Sequence, residues 1–212
     1  MIADEESPVV RARAAALAEL RREPRAVPWT RQALRLVAVQ AGLALVGIIV
    51  SLAVGIAAPS DLYEHLPMAL ALLTIAGLGA VAAIAPRTPT GGIPVWRMAA
   101  LAAGAAGMMA VVLARGTSGS AAHPEWVCSV SHLGVGILPL LFTLVGLRQS
   151  APSWTGALAA GLGAGTTGAL LGELACHRGA HHVLVYHLGA WALLALACVA
   201  LSRMLRPRTF AP

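Results

Sequence analysis

Six long apolar stretches alternate with short polar segments along the chain. Each stretch has about 20 residues, the length that an α-helix needs to cross the hydrocarbon core of a bilayer. Proline, glycine and charged residues punctuate the chain between them, as in Pro59-Ser60-Asp61, and such residues interrupt helices. The pattern therefore predicts an all-α, polytopic membrane protein with six transmembrane helices, at residues 33–57, 66–85, 94–114, 127–147, 155–175 and 183–203.

The segment before the first apolar stretch has a different character. No helix breaker stands between Pro8 and Pro24, and an alanine-rich sequence favours a helix. Val10, Leu17 and Leu20 fall on one side of this predicted helix. Such an apolar face can lie on an anionic membrane surface or dock onto a cytoplasmic protein, and both roles stay open. We divide the chain into an N-terminal segment with a short amphipathic helix, a membrane domain and a C-terminal tail, at residues 1–32, 33–203 and 204–212.

Composition supports a membrane protein, and the distribution of arginines indicates how it is oriented in the membrane. Of the 212 residues, 58% are hydrophobic and only 11% are charged, too few polar groups to cover the surface of a soluble domain. All 15 basic residues are arginines; six spans with a cytoplasmic N-terminus leave 13 of them inside and only Arg115 and Arg178 outside. This positive-inside bias predicts that both termini are cytoplasmic. It also explains the net charge of +6, so we expect no direct contact with nucleic acid.

The candidate chemistry lies at the predicted outer ends of the last three spans. Two thiols, Cys128 and Cys176, share that side with His132, His177 and His187. Three interpretations stay open for the thiols: simple packing, a disulfide formed in an oxidising compartment, or a soft metal ion such as zinc or copper held by thiolates and imidazoles.

The remaining histidines and cysteine invite simpler interpretations. We expect His181 and His182 to be solvated loop residues, and Cys198 to be a small buried hydrophobe. The glycines of the fifth span, from Gly161 to Gly172, predict close helix–helix contacts, because small residues let backbones approach in lipid.

Two other functional classes also use residues of these kinds. His132 and His187 could be axial haem ligands, which would make the chain a membrane redox protein using haem or quinone. A small-molecule transporter is the other class, but ion-coupled transporters place charged groups near the middle of the membrane, and the predicted spans carry none there.

The second half of the chain resembles a known family in the order of several residues and short motifs. They are Trp126-Val127-Cys128, Pro139, Leu147-Arg148, Ala151-Pro152, Cys176-His177, His187, Arg203 and Arg206. The resemblance is to the NrsF-type integral-membrane anti-sigma factors, negative regulators of extracytoplasmic-function sigma factors. It implies a multi-pass protein of the bacterial inner membrane that sequesters such a sigma factor, releases it on an extracytoplasmic stress signal read near Cys128 and Cys176, and catalyses no reaction.

Overall fold

The structure is a computed structural model that describes residues 7–22, 28–86, 93–115, 124–148 and 153–205. Every regular element in these ranges is helical. In chain order they are α1 (Pro8–Arg22), α2 (Trp29–Ala53), α3 (Pro59–Glu64), α4 (Leu66–Ile84), α5 (Val95–Leu113), α6 (Trp126–Leu147), α7 (Trp154–Ala175), α8 (Ala180–His182), a π-helix (Val183–Leu188) and α9 (Gly189–Met204).

Five of the helical segments are long and apolar enough to cross a membrane. They are α2, α4, α5, α6 and the continuous segment Ala180–Met204, which joins α8, the π-helix and α9. The chain is therefore a helical membrane protein. The predicted boundaries agree within a few residues except in the first span, where α2 begins at Trp29 and ends at Ala53. Gly55 follows with φ +73°, a left-handed conformation that stops a helix and that glycine adopts without strain.

The sixth predicted span is α7, which has 22 residues but does not reach the hydropathy of the other five. Its glycines and threonines lower the average. Instead of facing outwards, α7 lies at the centre of the bundle, and 17 of its 22 residues are buried. It packs against α2, α4, α5, α6 and α9.

Glycines on α7 allow the close approach that the sequence predicted. A methyl group added at Gly163 would lie 3.0 Å from the Cα of Gly79 on α4, and one at Gly161 would lie 2.7 Å from the Cα of Ala195 on α9. Gly165 faces the indole of Trp191 in the same way. The indole nitrogen of Trp191 donates a 2.8 Å hydrogen bond to the carbonyl of Leu162. The prediction of glycine-mediated helix packing is confirmed.

One end of the bundle is organised by a buried arginine, and we call it the Arg97 end. The guanidinium of Arg97, only 3% exposed, donates to the carbonyls of Ala82 and Ala85 at 3.2 and 2.9 Å and to the hydroxyl of Ser153 at 3.2 Å. It thereby satisfies carbonyls at the C-terminus of α4 that lack helical partners. Ser153 is in turn the N-cap of α7, so one side chain joins the ends of three helices. Arg97 is one of the arginines assigned to the cytoplasmic side.

The long helices alternate in direction between this end and the opposite one, which we call the cysteine end. Leu36 near the start of α2 packs with Ile84 at the end of α4 and Leu144 near the end of α6. Cys128 opens α6 at the cysteine end, and Cys176 follows α7 there. Across the middle of the bundle, the amide of Gln40 on α2 donates to the hydroxyl of Thr143 on α6 at 3.1 Å.

Candidate functional site

Four potential metal ligands converge at the cysteine end. Cys128 comes from the first turn of α6, Cys176 follows the last residue of α7, His182 ends α8, and His187 belongs to the π-helix. One ligand atom from each of the four lies within 4.8 Å of all the others. The cluster therefore combines residues from the start of α6, the end of α7 and the start of the last span. We call these four residues the outer cluster.

The π-helix explains how two histidines five residues apart share one side of a helix. In an α-helix, residues at this spacing point about 140° apart. A π-helix closes i to i+5 hydrogen bonds, so its residues at i and i+5 lie nearly above one another. The ring centroids of His182 and His187 are accordingly only 5.4 Å apart. The hydroxyl of Ser129 on α6 donates to the carbonyl of Tyr186 at 2.8 Å, which ties the π-helix to the start of α6.

Three of the four residues are buried and Cys128 is half-buried, and three of the four imidazole nitrogens lack a hydrogen-bond partner among the described residues. Cys176 is 7% exposed, His182 6% and His187 5%. Among the described residues, neither ring nitrogen of His182 has a hydrogen-bond partner, and Nε2 of His187 has none. Leaving buried polar atoms unsatisfied costs free energy. The arrangement thus offers lone pairs and N–H groups that have no partner within the described part of the chain.

The structure brings together only some of the residues singled out in the sequence. Cys128, Cys176 and His187 meet, and all three cysteines are free thiols. His132 is buried beside them, with its ring edge-on to His187 at a centroid distance of 6.0 Å, but it is not one of the four close ligands. The backbone of Gly165 faces the His132 ring without forming a hydrogen bond of normal geometry. His177 is exposed and lies outside the cluster.

The expectation that His182 is a solvated loop residue is wrong. Its neighbour His181 is indeed exposed, but the His182 ring is buried and stacks on Tyr186 with a centroid distance of 4.9 Å. The sequence alone did not reveal this potential ligand because the π-helix has no clear sequence signature. The usable signal was the spacing itself, a histidine pair followed by a third histidine five residues after His182.

Two ion pairs frame the outer cluster. Arg115, after the end of α5, lies 3.1 Å from the carboxylate of the buried Glu173, and the same guanidinium donates to the carbonyl of Cys176. Nδ1 of His65 is 3.9 Å from that carboxylate. On the other side, the guanidinium of Arg178 is 3.3 Å from the carboxylate of Glu125. Each of these two arginines near the thiols therefore has a partner of opposite sign.

A small apolar cavity adjoins the thiols. Its volume is about 220 Å³, below the range of about 300–1,000 Å³ typical of sites for larger organic ligands. Cys128, Cys176, His132 and His187 line it together with Ser51 of α2 and mostly apolar residues of α6 and α7. Gly172 also lines it, and an added methyl group there would lie 2.6 Å from Nδ1 of His187. The cavity is thus small for a porphyrin between His132 and His187, and the geometry favours ligation by the outer cluster.

The N-terminal helix presents a different kind of surface. The structure has α1 at Pro8–Arg22, as the breaker pattern predicted. Val10 is 49% exposed and Leu17 47% exposed. Leu20 lies in α1, but its side chain is outside the described part of the structure. Among the described residues, no other helix packs extensively against α1, so the side chains of Val10 and Leu17 are available to a partner or to a membrane surface.

Comparison with known proteins gives one extensive similarity. The chain is 42% identical over 187 residues to the carotenogenesis protein CarR of Myxococcus xanthus, and the matched region covers 87% of this chain and 81% of CarR. No protein-family profile and no solved structure matches the chain.

Proposed function

Since the chain belongs to the family of the carotenogenesis protein CarR, we propose that it is a regulatory protein of the bacterial inner membrane, an anti-sigma factor. It holds an extracytoplasmic-function sigma factor inactive at the membrane and releases it when the outer cluster meets a metal or redox signal. It catalyses no reaction. The name of CarR links that relative to carotenoid formation, so we include carotenoid genes among those that the released sigma factor would transcribe.

The proposal includes a topology of six spans with both termini in the cytoplasm. The geometry of α7 supports it. This helix starts beside Arg97 and ends beside Cys128, so it extends between the same two ends as α6 and the last span. Its 22 residues give a length of about 33 Å, enough for the hydrocarbon core of about 30 Å. The arginine distribution then favours a cytoplasmic position for the Arg97 end.

The observation that carries the function is the exposure of the apolar side chains of Val10 and Leu17 on α1. A regulator embedded in the membrane can reach a soluble transcription factor only through its cytoplasmic parts. The Arg97 end, where α2 begins, is on the cytoplasmic side of this topology, and α1 precedes it. We propose that Val10, Leu17 and Leu20 contact the sigma factor, while the arginines of the same segment steer the encounter.

The signal enters at the opposite end. Cys128 and Cys176 are the sensing pair: two free thiols on different helices, close enough to be linked by oxidation after small adjustments or to share a soft metal ion. Either event changes which packing of α6, α7 and α9 is favoured. A signal of this kind acts by shifting the population between a form that holds the sigma factor and a form that does not.

Co-purification of the full-length protein with a sigma factor tests the proposal. The partner to use is an extracytoplasmic-function sigma factor from the same organism. Replacing Leu17 and Leu20 by Asp should weaken retention by well over tenfold, since burial of each leucine contributes about 1.5–3 kcal/mol. The matched control is Ala15→Asp with Ala18→Asp, which adds the same charge on the opposite side of α1 and should retain the partner.

The two outcomes against the proposal are distinct. Equal retention by both double variants would mean that α1 is not the docking surface. No retention by the wild-type protein, although it is present in the membrane, would remove the anti-sigma function itself.

A further inference from the structure

We propose that the outer cluster is a closed zinc site in which Cys128, Cys176, His182 and His187 are the four ligands, and that the ion fastens the π-helix to α6 and α7. This deepens the proposed function by naming the ligand set and the metal class at the sensing end. The site itself needs no sigma factor, so it can be tested separately.

The ligand set matches the coordination that zinc prefers. Two thiolates and two imidazoles in a tetrahedral arrangement are typical of Zn²⁺ sites that are closed to water. Bonds of about 2.0–2.3 Å in such a site hold the ligand atoms about 3.3–3.8 Å apart. The four atoms lie within 4.8 Å of one another, so closure around an ion needs shifts of about 1 Å, within reach of side-chain rotation.

The electrical balance also fits a divalent cation. Two thiolates and one Zn²⁺ sum to zero charge. Burying a neutral group at a membrane boundary costs much less free energy than burying an isolated ion. The neighbouring charges do not disturb this balance, because Arg115 is paired with Glu173 and Arg178 with Glu125. Binding would release the thiol protons to solvent.

Imidazole nitrogens without hydrogen-bond partners give an independent argument for a bound metal ion. His182 is buried with neither nitrogen paired among the described residues, and Nε2 of His187 is in the same condition. An ion bound to one nitrogen of each ring removes part of that cost. His132 lies edge-on to His187 and becomes a neighbour of the ligands rather than a ligand.

The π-helix gives the site a conformational consequence. His182 and His187 lie on one side only while residues 183–188 keep the π form, since the α form would separate them by about 140°. Metal binding and the π form therefore favour each other. Loss of the ion, or oxidation of the thiols that hold it, removes the restraint that connects the start of α9 to α6 and α7.

The test is metal binding by the full-length protein, purified in detergent, reduced and stripped with a chelator. We expect one equivalent of Zn²⁺ per chain, and Co²⁺ in its place should give thiolate-to-cobalt charge-transfer bands and the visible bands of tetrahedral cobalt. His182→Gln should weaken binding by more than about 100-fold, since even changes outside the ligand shell cost 10–100-fold. Its control is His181→Gln, which changes the exposed neighbour and should bind normally.

A second measurement guards against simple unfolding. Zinc should protect Cys128 and Cys176 from maleimide and raise the melting temperature of the wild-type protein, while Cys198→Ser should leave both effects intact. In His182→Gln, the metal-free melting temperature should match that of the metal-free wild type, and the response to zinc should disappear.

Three results would overturn the site. One is the absence of stoichiometric zinc binding by the reduced wild-type protein. Another is unchanged binding by His182→Gln, or equal losses in His181→Gln and His182→Gln. The third is loss of binding in His177→Gln, which would move the ligand set to the exposed loop. If zinc binding fails while the sigma factor is still retained, the zinc site is wrong and the anti-sigma function stands. If zinc binds but no sigma factor is retained, the anti-sigma function is wrong and the zinc site stands.

Discussion

The guanidinium of Arg115 lies 3.1 Å from the carboxylate of Glu173, and the two side chains are 9% and 3% exposed. Arg115 follows α5 and Glu173 belongs to the last turn of α7, so the pair joins two helices at the cysteine end. The same guanidinium also donates to the carbonyl of Cys176. This ion pair therefore fixes the end of α7 from which Cys176 projects into the outer cluster.

Glu173→Gln should destabilise the protein strongly. The substitution leaves the Arg115 charge buried without its counter-ion, and breaking one side of a buried pair costs about 3–5 kcal/mol. Thermal unfolding in detergent measures the effect. The matched control is Glu125→Gln, because Glu125 also pairs with an arginine but is 54% exposed, and exposed pairs contribute about 0–1 kcal/mol. Similar melting temperatures for the two variants would contradict the assigned burial.

Two glycines on α4 should respond oppositely to the same substitution. An added methyl group at Gly79 would lie 2.7 Å from the Cα of Gly163, whereas one at Gly77 has nothing within 4 Å. Gly79→Ala should therefore force α4 and α7 apart and cost about 1–3 kcal/mol. Gly77→Ala should be neutral or stabilising, since alanine favours a helix over glycine by about 1 kcal/mol. Loss of stability in Gly77→Ala alone would show that α4 is rotated from the position described.

Substitution of Arg97 should loosen the Arg97 end. Arg97→Lys keeps the charge but cannot reproduce the fork of donors that reaches Ala82, Ala85 and Ser153, so we expect a lower melting temperature and faster proteolysis near the start of α7. Arg35→Gln removes an exposed arginine from α2 and serves as the control. A stable Arg97→Lys variant would show that charge alone is sufficient at this position.

Reporter fusions can check the proposed topology. A reporter active only in the periplasm, fused after residue 120 between α5 and α6, should be active. A reporter active only in the cytoplasm, fused after Pro212, should also be active, because six crossings return the chain to its starting side. An inactive C-terminal fusion in a stable protein would indicate that α7 does not span the membrane.

The thiol pair should be required for the signal but not for the fold. Cells carrying Cys128→Ser with Cys176→Ser should keep the protein in the membrane, yet a promoter dependent on the sigma factor should no longer respond to soft metals or oxidants. Cys198→Ser is the control, because this buried thiol packs against α7 near Gly161 and lies away from the cluster. If the double variant responds fully, the two cysteines have only a packing role.

Periodicity and length predicted the helices well because both depend on local properties of the sequence. Apolar runs of about 20 residues marked the long helices, and Pro8 and Pro24 marked the limits of α1. The buried positions of α2, such as Ala33, Leu36 and Gln40, follow a spacing of three and four residues that can be recognised without a structure.

The composition of the outer cluster was less accessible because it depends on a departure from α-helical geometry. A helical wheel separates His182 from His187, and only the π-helix brings them together. His177 stands next to Cys176 in the chain, yet its exposure shows that neighbours in sequence need not share a site. The role of Arg97 was equally hidden, since charge counting treats every arginine alike whether it is solvated or buried.

The glycine-rich composition of α7 also has a consequence for how the protein is made. A helix inserts from the translocation channel into lipid according to the hydrophobicity of its own side chains, and α7 offers less than the other long helices. Its favourable contacts are with α4, α6 and α9 instead. We therefore expect α7 to enter the bilayer only beside α4 and α6, which are synthesised before it. Its insertion should become stable only after α9 has been synthesised and packs against it. On this view, the order of synthesis is itself a requirement of the fold: a chain truncated after α7 should fail membrane quality control even though every residue of α7 is present.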